Sequence, residues 1–537
     1  MAHDDSGQTA GQRTGYDYVV VGGGTAGAVV AARLSEDPRI SVGLLEWGPS
    51  DRDEPRALQI RRWAQMLESE YDLDYPSVPQ PRGNSLIRQS RARILGGCSS
   101  HNTMIALLPP RADFDDWASS GARGWDADAM APYFRRLRIN IAAVAPEHRN
   151  PYLADVITAA SGTLGIPARE DWNTARYADG TGFLPIGYYP QTGMRSSSSV
   201  AYLHPILDHA ANLDLHTGTR ALKILMSEGR RATGVLARRS DGSELTVSAR
   251  REVIVCCGAI DTPRLLLLSG IGPAAQLRDL GIDVVADLPG VGANLTDHPE
   301  GLVVWEAARP VPPAGATDWD MTIMYRTDPT ATRPDVLAHV PLMTFAMHAE
   351  RLGYRIPART ISMTPNVARP RSRGTVSLAS PDPDAAPVID YRYFTDPDRH
   401  DERTLLAGMR MARGVAAHPA MAGWIASEVF PGPEVRGDEE LSALARATSH
   451  TVYHVSCTAR MGMADDPAAV LDPELRVRGV AGLRIVDASA FPSLPTVNPV
   501  VAVLMLAERG AELIAASRLS GRAGTARPAG GSIPSRS

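Results

Sequence analysis

One feature near the amino terminus leaves this chain little freedom in how it starts to fold. The apolar run Tyr18-Val19-Val20-Val21 feeds directly into Gly22-Gly23-Gly24-Thr25-Ala26-Gly27, and Ala28 to Leu34 continues as a good helix former. A second apolar run, Ile40 to Leu45, ends at Glu46, about twenty residues beyond the glycines, the spacing of a βαβ dinucleotide unit. Each part has a physical task. Gly22 makes the tight turn, Gly24 lets the backbone approach a pyrophosphate, and Gly27 allows helix and strand to pack closely. The helix start offers free N–H groups and the positive end of its dipole to phosphates, and Glu46 is placed to accept hydrogen bonds from ribose hydroxyls. The amino-terminal part is therefore read as a Rossmann-like α/β unit that takes NAD or FAD.

With 537 residues the chain is too long for one simple core, so further units must follow. Residues 249–259 (ARREVIVCCGA) read as another buried strand, followed by a helix from Thr262 to Ser269 that stops at Gly270; 482–488 (GLRIVDA) have the same strand character. Between them, over roughly 301–451, aromatic, Met, His and Pro residues gain ground and glycine turns fade, which predicts a second domain inserted into the first. The last residues, 518–537, are rich in Gly, Ser, Pro and Arg without apolar periodicity and are expected to be disordered.

Several functions are disfavoured. A net charge of −5 gives no field that would gather nucleic acid. No run of about 18 apolar residues predicts a membrane span, and the polar first fifteen residues lack a secretory core, so a cytoplasmic protein is expected and the Asn294-Leu295-Thr296 sequon is taken as accidental. Cys98, Cys256, Cys257 and Cys457 show no paired metal-ligand spacing, and there is no H-E-x-x-H or G-x-S-x-G; no metal and no serine hydrolase are expected.

Two more segments are far more specific than the glycine loop. They are 93–102 (RILGGCSSHN) and Gly258-Ala259-Ile260-Asp261-Thr262-Pro263 through Ser269-Gly270-Ile271-Gly272-Pro273. Both resemble the signature segments of the glucose-methanol-choline oxidoreductases. Val452-Tyr453-His454 before Met461-Gly462, then Asp487-Ala488-Ser489 and Asn498-Pro499, resemble the carboxyl-terminal part of that family, so the likeness runs from about Tyr16 to about Ala516. The resemblance implies FAD as cofactor and a glucose oxidase-like architecture. In it, 15–150, 190–300 and 452–517 form a discontinuous FAD-binding domain, and 151–189 with 301–451 form an inserted α+β substrate-binding domain. It adds Gly97, His101, Asn102, Thr103, Asp487, Asn498 and Pro499 to Gly22, Gly24, Gly27 and Glu46 as cofactor-binding residues, and it implies a homodimer.

Within the family, 33–38 (RLSEDP), 97–102 (GCSSHN), 195–200 (RSSSSV), 297–301 (DHPEG) and 393–397 (YFTDP) read like the choline oxidases. Oxidising an alcohol requires taking the hydroxyl proton while a hydride leaves the same carbon. The resemblance gives that task to His454 and Asn498, with His339 as a further active-site histidine. For Asn498 an ordinary role is also available, as an N-cap before Pro499. Glu300, with Trp63, Trp319, Phe345 and Tyr453 around it, matches the cage for a trimethylammonium group, which has no N–H to donate and is held by ring faces and a buried negative charge. His101 matches the histidine that tethers the flavin covalently in oxidases, and Val452 a small residue over the flavin where oxygen reacts.

The function so implied is oxidation of choline through betaine aldehyde to glycine betaine, with oxygen reduced to hydrogen peroxide. The alternatives are another small alcohol, a dehydrogenase, or a non-redox lyase. Departures from the pattern bear on substrate and rate. Val455-Ser456-Cys457 replaces Pro-x-Gly after His454 and is expected to loosen that loop. Trp47 follows Glu46 where a small residue is usual, crowding the adenosine end. Val500 replaces an Asn, Thr103 a Ser, and the stretch near 140–150 is short.

Overall fold

The computed structural model describes residues 13–174 and 178–523. Strand Gly15–Val21, rich in β-branched and aromatic residues, lies parallel to Val42–Leu45 on one side and to the end of Glu244–Val255 on the other. Leu213–His216 and Leu483–Ile485 extend the parallel core, and Thr219–Ser227 and Arg231–Arg239 continue it antiparallel, giving seven strands. Gly22 has φ +95°, and a Cβ there would sit 2.6 Å from the Cys256 carbonyl oxygen; at Gly27 it would sit 1.8 Å from the Gly22 oxygen. Both glycines are steric requirements of this crossing. The helix after the turn spans Thr25–Ser35, longer at both ends than the apolar run predicts, and it packs on the final helix. There Arg33 donates twice to the fully buried Glu508 at 2.8 Å, and Tyr202 adds a third bond at 2.7 Å.

The second sheet has eight strands in antiparallel pairing: Ile425–Phe430, Val303–Ala307, Thr360–Val367, Val336–His339, Met321–Tyr325 and Gly180–Phe183 in spatial order. The short strand Pro299–Glu300 joins it to His450–Thr451, pairing Glu300 with Asn366 and with His450. Helices Pro151–Leu164 and His400–Ala416 cover it. The mixed α/β architecture with a parallel dinucleotide sheet is the one expected.

Other boundaries also differ from the expected ones. The second parallel strand begins at Val42, not Ile40, because the Ile40 N–H closes a turn onto Asp37 O. The strand read to Ala259 ends at Val255, and its helix starts at Gly258 instead of Thr262. Asp487, from a segment more than two hundred residues away, accepts the Gly258 N–H at 3.0 Å and the Thr262 hydroxyl at 2.6 Å, supplying a helix cap that no local sequence shows. The final helix runs Val500–Ala523, past the expected start of disorder at 518, and Arg518 donates to Asp37 at 2.6 Å. The remainder of that tail, 524–537, lies outside the described residues.

Candidate active site

One cavity runs between the carboxyl ends of the parallel strands and the second sheet. In an open α/β sheet this is where ligands bind, because loops and helix starts converge there. Gly22, Gly24, Glu46 and Gly97 line one end, and Glu300, Trp319, His339 and Phe345 line the other. His101, Asn102, Thr103, His454, Asn498 and Pro499 lie on its wall between them, as do Asp487, Val452 and Val500. Every expected cofactor residue except Gly27 therefore lines one continuous space, and Gly27 acts one layer back, through packing.

At the glycine end, Glu46 accepts the Gly23 N–H at 2.8 Å and the Gly48 N–H at 2.7 Å. Burial still pushes its carboxyl up to about 7. Each oxygen keeps a lone pair for a hydroxyl. Gly97 touches the glycine turn so closely that a Cβ would meet Gly24 Cα at 2.7 Å. Arg195, fully buried and without a carboxylate partner among the described residues, holds the segment after Gly97 by donating to the carbonyls of Ser99, Asn102 and Ala57; burial lowers its guanidinium to about 9. Trp47 lies between the guanidiniums of Arg220, 4.0 Å from its ring centre, and Arg93, 5.5 Å away. A backbone cradle, an N-terminal helix end and an acidic ribose acceptor in one elongated space fit FAD.

His101 is buried, with Nε2 3.0 Å from Ser90 Oγ and Nδ1 3.3 Å from Cys98 O. Burial lowers its imidazole to about 4, so it is neutral at pH 7 and keeps a lone pair.

His454 stands where two segments meet. Its Nε2 is 3.2 Å from Asn498 Nδ2, and its Nδ1 is 2.9 Å from Nδ1 of His298. An amide N–H donating to Nε2 leaves that nitrogen as acceptor, which puts the proton on Nδ1 and directs it to His298. Burial, then His298, His339 and Arg91, hold His454 well below the ordinary histidine range. Asn498 Oδ1 is buried without a hydrogen bond among the described residues, so the side chain does not also cap the final helix, the ordinary role expected to be open to it beside one in the site.

Asp297 and His298, in the Asp-His-Pro-Glu-Gly segment, carry the loop of His454, a role that no short-range sequence pattern marks. Asp297 Oδ1 accepts the His454 N–H at 2.8 Å, and Oδ2 accepts the Tyr393 hydroxyl at 2.6 Å and the Thr451 hydroxyl. The expected loosening of the loop after His454 is not what the structure has. Ser456 exchanges two backbone hydrogen bonds with Thr296, at 2.9 and 3.1 Å, and the Cys457 N–H reaches Ala488 O at 3.0 Å. Cys457 occupies a left-handed conformation, φ +73°, at the place where glycine is usual, so the substitution costs backbone strain and leaves the loop in position. Tyr453, on the other side of His454, is also left-handed at φ +62°.

The far chamber is a continuous aromatic wall. Trp319 makes edge contacts with Trp63, His339 and Phe345 at 6.3, 5.7 and 5.5 Å between ring centres, and His450 joins Phe345 to Tyr453 at 5.8 and 5.3 Å. Trp63 is fixed by its N–H to Thr317 O at 2.8 Å. Glu300 is 2% exposed, which makes it a buried carboxylate and not the solvated turn that an isolated acid in such a segment would form. His339 Nδ1 is 3.7 Å from Glu300 Oε1, too far for a hydrogen bond, and Oε1 has no partner among the described residues. Burial raises the Glu300 carboxyl above its ordinary range. A buried acid with one oxygen left without a hydrogen bond, in a cavity also lined by aromatic rings, is an arrangement that a cation would complete.

Comparison with known proteins agrees with this geometry. Two sequence profiles described as GMC oxidoreductase match residues 16–300 and 370–507. The chain is 48% identical over 520 residues to choline oxidase of Arthrobacter globiformis, covering 94% of this chain and 95% of that protein. It is 35% identical over 546 residues to an oxygen-dependent choline dehydrogenase of Vibrio vulnificus, covering 93% and 94%. Among solved structures, pyridoxine 4-oxidase from Mesorbium loti superposes with a TM-score of 0.86 at 27% identity, over 93% of this chain and 98% of that one.

Proposed function

The chain belongs to the GMC oxidoreductase family, and on that premise we propose that it oxidises choline, through betaine aldehyde, to glycine betaine. It is an FAD-dependent alcohol oxidase, with oxygen as acceptor and hydrogen peroxide as by-product. FAD supplies the two-electron oxidant. The protein binds the alcohol, takes its proton and holds its charge. The trimethylammonium head enters the chamber of Trp63, Trp319, Phe345 and Tyr453, where its charge completes Glu300. The hydroxyl replaces the Asn498 amide at His454 Nε2, which receives the proton. The imidazolium so formed and the released Asn498 Nδ2–H then hold the alkoxide. Asp297 fixes the backbone of His454, and the Nδ1 contact with His298 fixes its tautomer. Betaine aldehyde as its hydrate presents a hydroxyl to the same nitrogen, so one site serves both steps. His339 lines the chamber beside Glu300 and shapes it.

The observation that carries the choice of a cationic alcohol is Glu300, buried, without a hydrogen bond at Oε1 among the described residues and lining the same cavity as the aromatic rings. Oxygen uptake by the purified protein tests it. Uptake with choline and with betaine aldehyde, and little with uncharged primary alcohols, is expected; uptake confined to uncharged alcohols would refute the cationic pocket.

The same reading makes His101 the covalent attachment point, supported by a neutral imidazole in the cavity wall. Acid-precipitated protein then stays yellow, whereas free FAD in the supernatant would defeat the tether. The reading also carries a cytoplasmic homodimer, to be checked by fractionation and by sedimentation. No helix among the described residues is long and apolar enough to cross a membrane.

A further inference from the structure

A second cavity, of about 680 Å³, lies behind the active-site loops. Thr296 and Thr496 line it, two residues before His298 and Asn498 respectively, so its wall is the back of the segments that carry the chemistry. Five arginines line it, Arg333, Arg369, Arg371, Arg373 and Arg403, together with His400. The acids that line it are Asp113, Asp116, Asp328 and Asp335.

Those acids accept hydrogen bonds or pair with Arg333, whereas three of the five arginines have no carboxylate partner among the described residues. Asp113 accepts the Thr496 N–H at 2.7 Å and its hydroxyl at 2.8 Å and lies 3.3 Å from Arg333, which also pairs with Asp116. Asp335 takes the Thr327 N–H at 2.8 Å and its hydroxyl, and Asp328 takes the Thr330 N–H at 2.8 Å and hydroxyl at 2.7 Å. Arg371 has Asp398 at 3.2 Å, at an exposed position. Arg373 donates only to the Pro370 and Ser372 carbonyls, and Arg403 to the Asp398 carbonyl. Arg369, partly buried, forms no hydrogen bond or ion pair among the described residues, and burial and the nearby Arg333 push its guanidinium down. Among the described residues Arg369, Arg373 and Arg403 have no carboxylate partner: Arg369 is partly buried without a hydrogen bond, and Arg373 and Arg403, both exposed, give only part of their donor forks to backbone carbonyls. Such forks match a compact oxyanion, which accepts two parallel N–H bonds from each.

We propose that this cavity is a binding site for a compact multivalent oxyanion, a phosphate or a small polycarboxylate, held by Arg369, Arg373 and Arg403. It is separate from the pyrophosphate cradle at Gly22–Gly27, and the oxidation reaction does not require it.

The test uses the FAD-loaded enzyme, in which the cofactor covers the other phosphate site. Thermal unfolding is followed while inorganic phosphate, citrate or chloride is added at constant ionic strength. A saturable rise in Tm with phosphate or citrate and none with chloride is expected, and which of the two saturates at lower concentration identifies the class. In Arg369→Gln/Arg373→Gln the half-saturating concentration rises at least tenfold, while Tm without anion changes much less than the anion-induced shift, because neither residue has a carboxylate hydrogen-bonded or paired with it among the described residues and Arg373 loses only two exposed bonds to carbonyls. Arg403→Gln, on a different element, weakens the response in the same direction and guards against misfolding of the double variant. Equal shifts with chloride, no saturable shift with either oxyanion, or an unchanged response in both variants would each overturn the site.

Discussion

Replacing Glu300 with Gln changes one charge and almost no volume, in a chamber where that charge is buried and lacks a hydrogen bond at one oxygen. A cation about 4 Å from a carboxylate at an effective dielectric near 20 is attracted by about 4 kcal/mol. Burial already disfavours the ionised Glu300 carboxylate and raises its pKa, so little of that attraction is cancelled on its side. The choline head must still leave water, and aromatic faces restore part of what it loses. The net loss expected is about 2–4 kcal/mol, roughly 30- to 1,000-fold in choline affinity and in kcat/KM. The control is 3,3-dimethylbutan-1-ol, which keeps the shape of choline with carbon in place of nitrogen. Steady-state oxygen consumption and anaerobic binding should show the preference for choline over this alcohol collapsing, while the alcohol itself changes by less than about threefold. If both substrates lose the same factor, Glu300 shapes the chamber or the cofactor and does not read charge. Choline affinity should also rise with pH as Glu300 ionises, a dependence absent from the Gln variant and from the neutral alcohol.

Four other outcomes are expected. His454→Ala should lower kcat by about 10²- to 10⁴-fold with choline affinity nearly kept, partly restored by added imidazole; an unchanged kcat would remove it as the base. Cys457→Gly should stabilise the fold by about 1 kcal/mol in urea titrations, since glycine accepts φ +73° without the Cβ clash, and a loss of stability would show that the thiol packing outweighs the strain. Burial lowers His348 and His450 to about 2 and about 4, from an ordinary 6.5, so the unfolded chain binds protons that the folded one does not. Stability should therefore be full above pH 6.5 and fall as pH drops, by up to about 2 kcal/mol per histidine by pH 5; His348→Gln should flatten the urea midpoint against pH, and an unaltered slope would contradict it. Gly97→Ala should impair FAD retention, read as flavin absorbance per protein after gel filtration, because its Cβ would meet Gly24 Cα at 2.7 Å.

Much of the site could be read from the chain because its parts are local. The glycine turn, Gly97 to Thr103, and the segments holding Glu300, His454 and Asn498 each have a spacing that a short stretch of backbone dictates. What escaped was the support. Asp297 clamps His454 by a bond across 157 residues, and His298 orients its ring across 156. Asp487 begins a helix 229 residues earlier in the chain. A loop that had lost its proline and glycine was read as loose, but Thr296 and Ala488, distant in sequence, hold its backbone.

The order strand, glycine turn, helix, strand, acid was enough to require a dinucleotide unit, since hydrophobic periodicity and the steric needs of a turn act over a few residues. The signature segments were enough to place this chain among flavin-dependent alcohol oxidoreductases. Whether a given side chain works in the site was decided by packing. The protonation state of His454, the Glu300 oxygen without a hydrogen bond and the gathering of arginines at the second cavity depend on what surrounds them after strands hundreds of residues apart have met. Burial sets the cost of a charge, and burial is a property of the assembled structure.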